Sequence, residues 1–271
     1  MGSKQIAQRR VRSEAVRAKP APAPARTVAA AQVLPRRNWA AAVAAIARRE
    51  LGTLLRTPVG WAVAAVFLFF ASGFGFIGGV IAGQQASMDG IYQVITGVLT
   101  LVLVPVLTLR LAAESQPTIP ARDYEVIAGR WLGAFAFYVL LIAATLVYIV
   151  LLAIYVRGKQ LDYGLFAATY IGMVATGAAA VAIGVFGSSV TRNRIVAYLL
   201  GVGLLVITWY ATFVIGSFSG TARNDLLDYV SAFDRYQSSS LGQVTLRDTV
   251  YFVSLALGAL LLATPLLKSR R

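Results

Sequence analysis

The chain contains no cysteine and no histidine. The first absence excludes disulfide frameworks, thiolate-bound zinc or iron–sulfur sites and thiol nucleophiles. The second removes the commonest metal ligand, the commonest general base and the side chain that switches charge near neutrality. Charge is also scarce. Asp, Glu, Lys and Arg make up 13% of 271 residues while 58% are hydrophobic, and the mean hydropathy is +0.71, values that do not belong to an ordinary soluble domain. The phosphate-cradling pattern GxxxxGK[ST] is missing too, so the chain does not hydrolyse ATP by that means. No catalytic constellation, metal site or bound cofactor is expected, and the sequence reads as that of a non-enzyme.

What is present is a series of apolar runs. Six are long enough to cross a hydrocarbon core, which takes about 20 helical residues: Val59 to Ile81, Ile91 to Leu109, Trp131 to Val156, Gly164 to Phe186, Ile195 to Gly216 and Thr249 to Leu267. None contains Asp, Glu, Lys or Arg. Six such helices in succession would leave no amphipathic surface for water, so the expected fold is all-α and integral to a membrane.

The scarce charges sort by side. Six spans put both termini on one face, and that face holds twenty of the 25 Lys and Arg; Arg157, Lys159, Arg223, Arg235 and Arg247 fall on the other. The acids divide five and six. Cytoplasmic loops retain basic residues, so both termini are expected in the cytoplasm, with the chain in the plasma (inner) membrane. The formal charge of +14 then reports orientation and makes no case for nucleic acid.

Residues 1–38 are rich in Arg, Ala and Pro with few large apolar side chains, a composition that cannot offset chain entropy by burial. They are expected to form a disordered cytoplasmic tail, either solvated or drawn to anionic lipid. In residues 39–57, Trp39, Val43, Ile46, Leu51, Leu54 and Leu55 recur mainly on one helical face, with Arg48, Arg49, Glu50 and Arg56 between them. This pattern predicts an amphipathic helix lying on membrane lipids at the cytoplasmic interface, ended by Pro58. The remainder, 58–271, is the six-span domain.

Within the spans the polar residues are hydroxyls and amides such as Gln93, Thr96, Thr145, Thr176 and Thr208. Such groups usually bond their own helix or a neighbour, and no ionisable residue is available for a proton relay. Gly75, Gly79 and Gly83 stand four apart, a spacing that lets helices approach closely within one subunit or between two. Outside, Ser217 to Asp248 carries Leu226, Leu227, Val230 and Phe233 at helical spacing, which predicts a short amphipathic helix at the outer leaflet.

Four stretches carry a resemblance: ARRELGTLLRTPVGW (Ala47 to Trp61), LVPVLTLRLAAE (Leu103 to Glu114), IGVFGSSVTRNRIVAYLLG (Ile183 to Gly201) and LLDYVSAFDRYQSSSLGQVTLRDTVYF (Leu226 to Phe252). In this order the chain resembles the membrane (permease) subunit of ABC-2 type transporters, in particular the gliding-motility-associated branch. The resemblance implies an ATP-driven exporter built from two permease subunits, a second copy or a similar chain, with separate ATP-binding cassette subunits that hold ATP and Mg. It also implies that the connection between spans two and three receives the motion of the ATPase, which makes Glu114, Asp123, Tyr124 and Glu125 coupling candidates. The chain departs from the family here. It reads ESQPTIPARDYEVIAGRW from Glu114 to Trp131, about two helical turns short of the usual coupling element. Asp123 and Glu125 equally suit the cap and first turn of span three, and a membrane scaffold that has lost its ATPase coupling is the alternative function.

Overall fold

The computed structural model describes residues 38–81, 92–109, 122–155, 163–210 and 245–268, and among them all regular structure is helical. Helix α1 spans Trp39–Arg56. It stops where the sequence predicts: Thr57 turns extended (φ −92°, ψ 145°) and Pro58 opens α2, Pro58–Phe70, at its first position, where the missing N–H costs nothing. The elbow is tight. A Cβ on Gly60 would lie 1.9 Å from the Leu54 carbonyl oxygen, and the Trp61 indole N–H donates across the bend to the Leu55 carbonyl at 2.9 Å.

Helix α2 runs without a break into a π-helical segment, Ala71–Ile81. A second π-helical segment, Val94–Leu99, leads into α3, Thr100–Thr108. Helix α4 is Asp123–Ala144, and after a bend at Thr145 it continues as α5, Leu146–Tyr155. Then follow α6, Tyr163–Val190, α7, Arg194–Trp209, and α8, Leu246–Lys268. Neither π segment is foreshadowed by composition, because apolar runs do not reveal which carbonyl each N–H takes.

Among the described residues, four helices are long and apolar enough to cross a membrane: Pro58–Gly78, Asp123–Ile154, Gly164–Val190 and Leu246–Leu267. They coincide with the expected first, third, fourth and sixth spans. The run expected as span two carries Val94–Leu99 and Thr100–Thr108, and that expected as span five carries the 16-residue α7; its continuation to Gly216 lies outside the described residues. Span three starts about two turns earlier than its apolar run. The Glu125 carboxylate accepts the Arg122 backbone N–H at 3.0 Å, half of a capping box that fixes the helix start at Asp123.

Helix α6 is the hub, packing against α3, α4, α7 and α8. Its sequence explains this, since small residues let neighbouring backbones come close where the solvent is hydrocarbon. Gly177 faces the Tyr138 ring of α4, Gly184 faces Val104 and Thr108 of α3, and Gly187 lies against the backbone of Gly201 in α7. Helices α3 and α6 therefore run in the same direction: Tyr138 links Thr100 to Met173, and farther along both helices Val104 and Thr108 meet Gly184. Only Thr191, Arg192 and Asn193 separate α6 from α7. Asn193 Oδ1 accepts the Ile195 N–H at 2.9 Å and so caps α7. Helices α2 and α8 are peripheral and carry exposed Val59, Phe69, Leu257 and Leu261, a surface suited to hydrocarbon and not to water.

Candidate functional site

Two regions bring together the polar residues that the sequence marks. The first is the start of α4, where Asp123 and Glu125 occupy the first turn and interact favourably with the helix dipole. Before them, the Arg122 guanidinium donates to the Tyr124 hydroxyl at 3.0 Å. That bond, the Tyr124 hydroxyl's charge interaction and the Glu125 carboxylate raise the Arg122 pKa above its ordinary value. Glu125 and Arg130 are buried and Tyr124 is exposed.

This turn is braced by α1. A Cβ on Gly129 would meet Ile46 Cβ at 2.7 Å and the Val43 carbonyl oxygen at 3.0 Å; one on Gly133 would meet Glu50 Cβ at 2.6 Å and the Ala47 carbonyl oxygen at 2.9 Å. One turn along α4 thus matches one turn along α1, so the helices run in the same direction in close contact. The buried face of α1 is Ala42, Val43, Ile46 and Leu54. Trp39 and Leu55 are exposed: Trp39 shares the buried face but is the first residue of the helix, and Leu55 lies about 100° around the helix from Leu54.

The second region is a layer of buried hydroxyls between 94–108, α4 and α6. The Thr100 hydroxyl donates to the Ile95 carbonyl at 2.8 Å and lies 3.3 Å from the Tyr138 hydroxyl, which also reaches the Met173 carbonyl at 3.5 Å. Thr96 and Thr176 are fully buried too, and neither hydroxyl has a hydrogen-bond partner among the described residues. Nearby, the Trp131 indole N–H donates to the Ala178 carbonyl at 3.0 Å, and Thr145, at the α4–α5 bend, bonds the Tyr170 hydroxyl at 3.0 Å. Among the described residues no cluster of acidic side chains could hold a metal ion.

Of the coupling candidates, Asp123, Tyr124 and Glu125 stand together on the first turn of α4, while Glu114 lies outside the described residues. Of the packing glycines, Gly75 is buried within the first π segment, Gly79 lies in the same segment and Gly83 is outside the described residues. The predicted outer-leaflet helix also falls outside them. Apart from Gly60 at the α1–α2 elbow, the described glycines with very close neighbours are on α4, α6 and α7. Gly129 and Gly133 have the four-residue spacing, in GRWLG, so that signal was present in the sequence. Tyr138 and Thr100 had no such signal, because a hydroxyl in an apolar run becomes informative only when its neighbours are known. The chain matches no protein-family model and no curated protein.

Proposed function

We propose that the chain is the membrane-spanning permease subunit of an ATP-driven exporter of the ABC-2 type, working with a separate ATP-binding cassette subunit that binds ATP and Mg. The observation that carries this reading is the continuous path from the charged turn Asp123 to Glu125 into the packed core. Helix α4, braced by α1 through Gly129 and Gly133, leads from that turn to Tyr138 and the hub helix α6. A push at the turn would reach α6 as a rigid displacement, because close-packed interfaces transmit strain instead of absorbing it. The four ordered stretches that resemble ABC-2 permeases supply the class of machine. In this reading the chain crosses the plasma membrane six times with both termini in the cytoplasm, α1 lies at the cytoplasmic interface, and a second copy or a similar subunit completes the path.

The short connection from Glu114 to Arg130 favours the second reading, a scaffold that no longer couples to an ATPase. One experiment separates them. The tagged full chain is purified from its native membranes, bound polypeptides are photolabelled with azido-ATP, and the purification is repeated with Asp123, Tyr124 and Glu125 all replaced by Ala. A labelled subunit that accompanies the native chain and is lost from the variant supports the exporter. A labelled subunit retained by the variant removes the coupling role of the α4 turn; no labelled subunit in either, together with unchanged export in cells lacking the chain, refutes the exporter itself.

A further inference from the structure

Most threonines in the described α-helical parts bond back onto their own helix, although Thr108 also takes the carbonyl three residues earlier and the buried Thr176 hydroxyl has no partner among the described residues. The hydroxyls of Thr53, Thr169, Thr208 and Thr264 each donate to the carbonyl four residues earlier, as the α register provides. The two threonines at the Val94–Leu99 segment do not. Thr100 sends both its backbone N–H and its hydroxyl to Ile95, five residues earlier, and the buried Thr96 hydroxyl has no partner among the described residues. The π register is thus reinforced at Thr100, by both its backbone N–H and its hydroxyl. Tyr138 stands beside this threonine, within reach of both Thr100 Oγ1 and the Met173 carbonyl of α6.

We propose that Val94–Leu99 is a register switch, latched by Thr100 and Tyr138, that converts between π and α geometry. Two hydroxyl protons are shared among the Ile95 carbonyl, the Met173 carbonyl and the two hydroxyl oxygens. In one state Thr100 donates to Ile95 and Tyr138 donates to Thr100 or Met173, and the π register holds. In the other Tyr138 donates to Met173 and Thr100 donates to Tyr138. The Ile95 carbonyl then accepts from its α partner. A slip of one residue turns the chain before the segment by about 100° relative to α3. Gln93, whose side chain is exposed, would swing with it. Because the latch includes a carbonyl of the hub helix, a small movement of α6 toward or away from Tyr138 selects the state. The switch belongs to this chain alone, so its test does not depend on ATP coupling.

The absence of cysteine makes Gln93→Cys a unique attachment point for a trifluoromethyl label, read by fluorine NMR saturation transfer on the full chain in lipid nanodiscs. Register shifts occur on microsecond to millisecond timescales, within reach of that method. The labelled native chain should show two exchanging resonances. Thr100→Val removes one donated bond from each state, to Ile95 in the π register and to Tyr138 in the α register, and should leave the populations nearly unchanged. Tyr138→Phe removes the acceptor that Thr100 uses only in the α state and should move the population about fivefold toward the π state, the factor expected for one buried hydrogen bond, while Thr100→Ser keeps the native spectrum. If Thr100→Val does not fold, Tyr138→Phe and Thr100→Ser still decide. One unexchanging resonance in the native chain, a Tyr138→Phe spectrum identical to the native one, or a shift of Tyr138→Phe toward the α state overturns the switch.

Discussion

Helices α6 and α8 are similarly apolar, with mean hydropathies of 1.8 and 2.1 along their spans, yet 72% of the apolar stretch is buried in α6 and 22% in α8. Apolarity therefore does not decide which helix becomes the centre. Residue size does. The α6 run TGAAAVAIGVFGSS presents glycine and alanine to four neighbouring helices, whereas the α8 run SLALGALLLATPLL projects leucines outward. In hydrocarbon, leucine gains nothing by leaving the lipid, so close approach of backbones and the dispersion contacts that follow organise the bundle.

The comparison can be broken most forcefully at Gly177. Its Cβ position lies 1.9 Å from the Tyr138 ring, and the buried ring has nowhere to retreat. Gly177→Ala should cost about 3 kcal/mol, the upper part of the range for overpacking a core, measured by denaturant unfolding in detergent. Combining it with Tyr138→Leu should recover part of that loss, and a neutral Gly177→Ala would remove α6 from its place as hub.

Next comes the α1–α4 seam. Gly129→Val or Gly133→Val should cost about 1–3 kcal/mol and should release α1 selectively, seen as faster hydrogen exchange over Trp39–Arg56 with α6 unchanged. Slower or unaltered exchange in α1 would mean that α4 is not its brace. A smaller effect is expected at the helix start, where Glu125→Gln weakens the capping bond to Arg122 and should cost about 1 kcal/mol without detaching α1. The smallest is expected on α8: Leu261→Ala, at a side chain 72% exposed, should stay within about 0.5 kcal/mol. A large loss there would reveal a contact that the single chain does not display. Adding one carbon to α6 should thus cost several times more than removing three from α8.

The long apolar runs and the break at Pro58 were legible because each rests on local chemistry: hydropathy summed over a helix, and a proline with no N–H. The start of α4 was legible in part, since Asp123 and Glu125 were readable as first-turn acids, although the helix begins before its apolar run. Three features were not. The amphipathic pattern of α1 marks an apolar stripe but cannot say whether protein or lipid covers it: Ala42, Val43, Ile46 and Leu54 are buried in protein, while Trp39 and Leu55 are exposed. Glycine spacing says that some helix approaches and not which; Gly129 and Gly133 received α1. The π segments depend on which carbonyl each N–H selects in the packed state, and Tyr138, remote in sequence from Thr100, takes part in that selection.

The central claim is that this chain receives its energy from another polypeptide through the first turn of α4. The direct measurement is ATP hydrolysis by the complex purified from native membranes on the full-length chain and transferred to lipid nanodiscs. The account predicts that hydrolysis accompanies the native chain and Glu125→Gln, and that it disappears when Asp123, Tyr124 and Glu125 are all replaced by Ala while α1 keeps its hydrogen-exchange protection. A native chain that purifies intact and carries no ATP hydrolysis would contradict it.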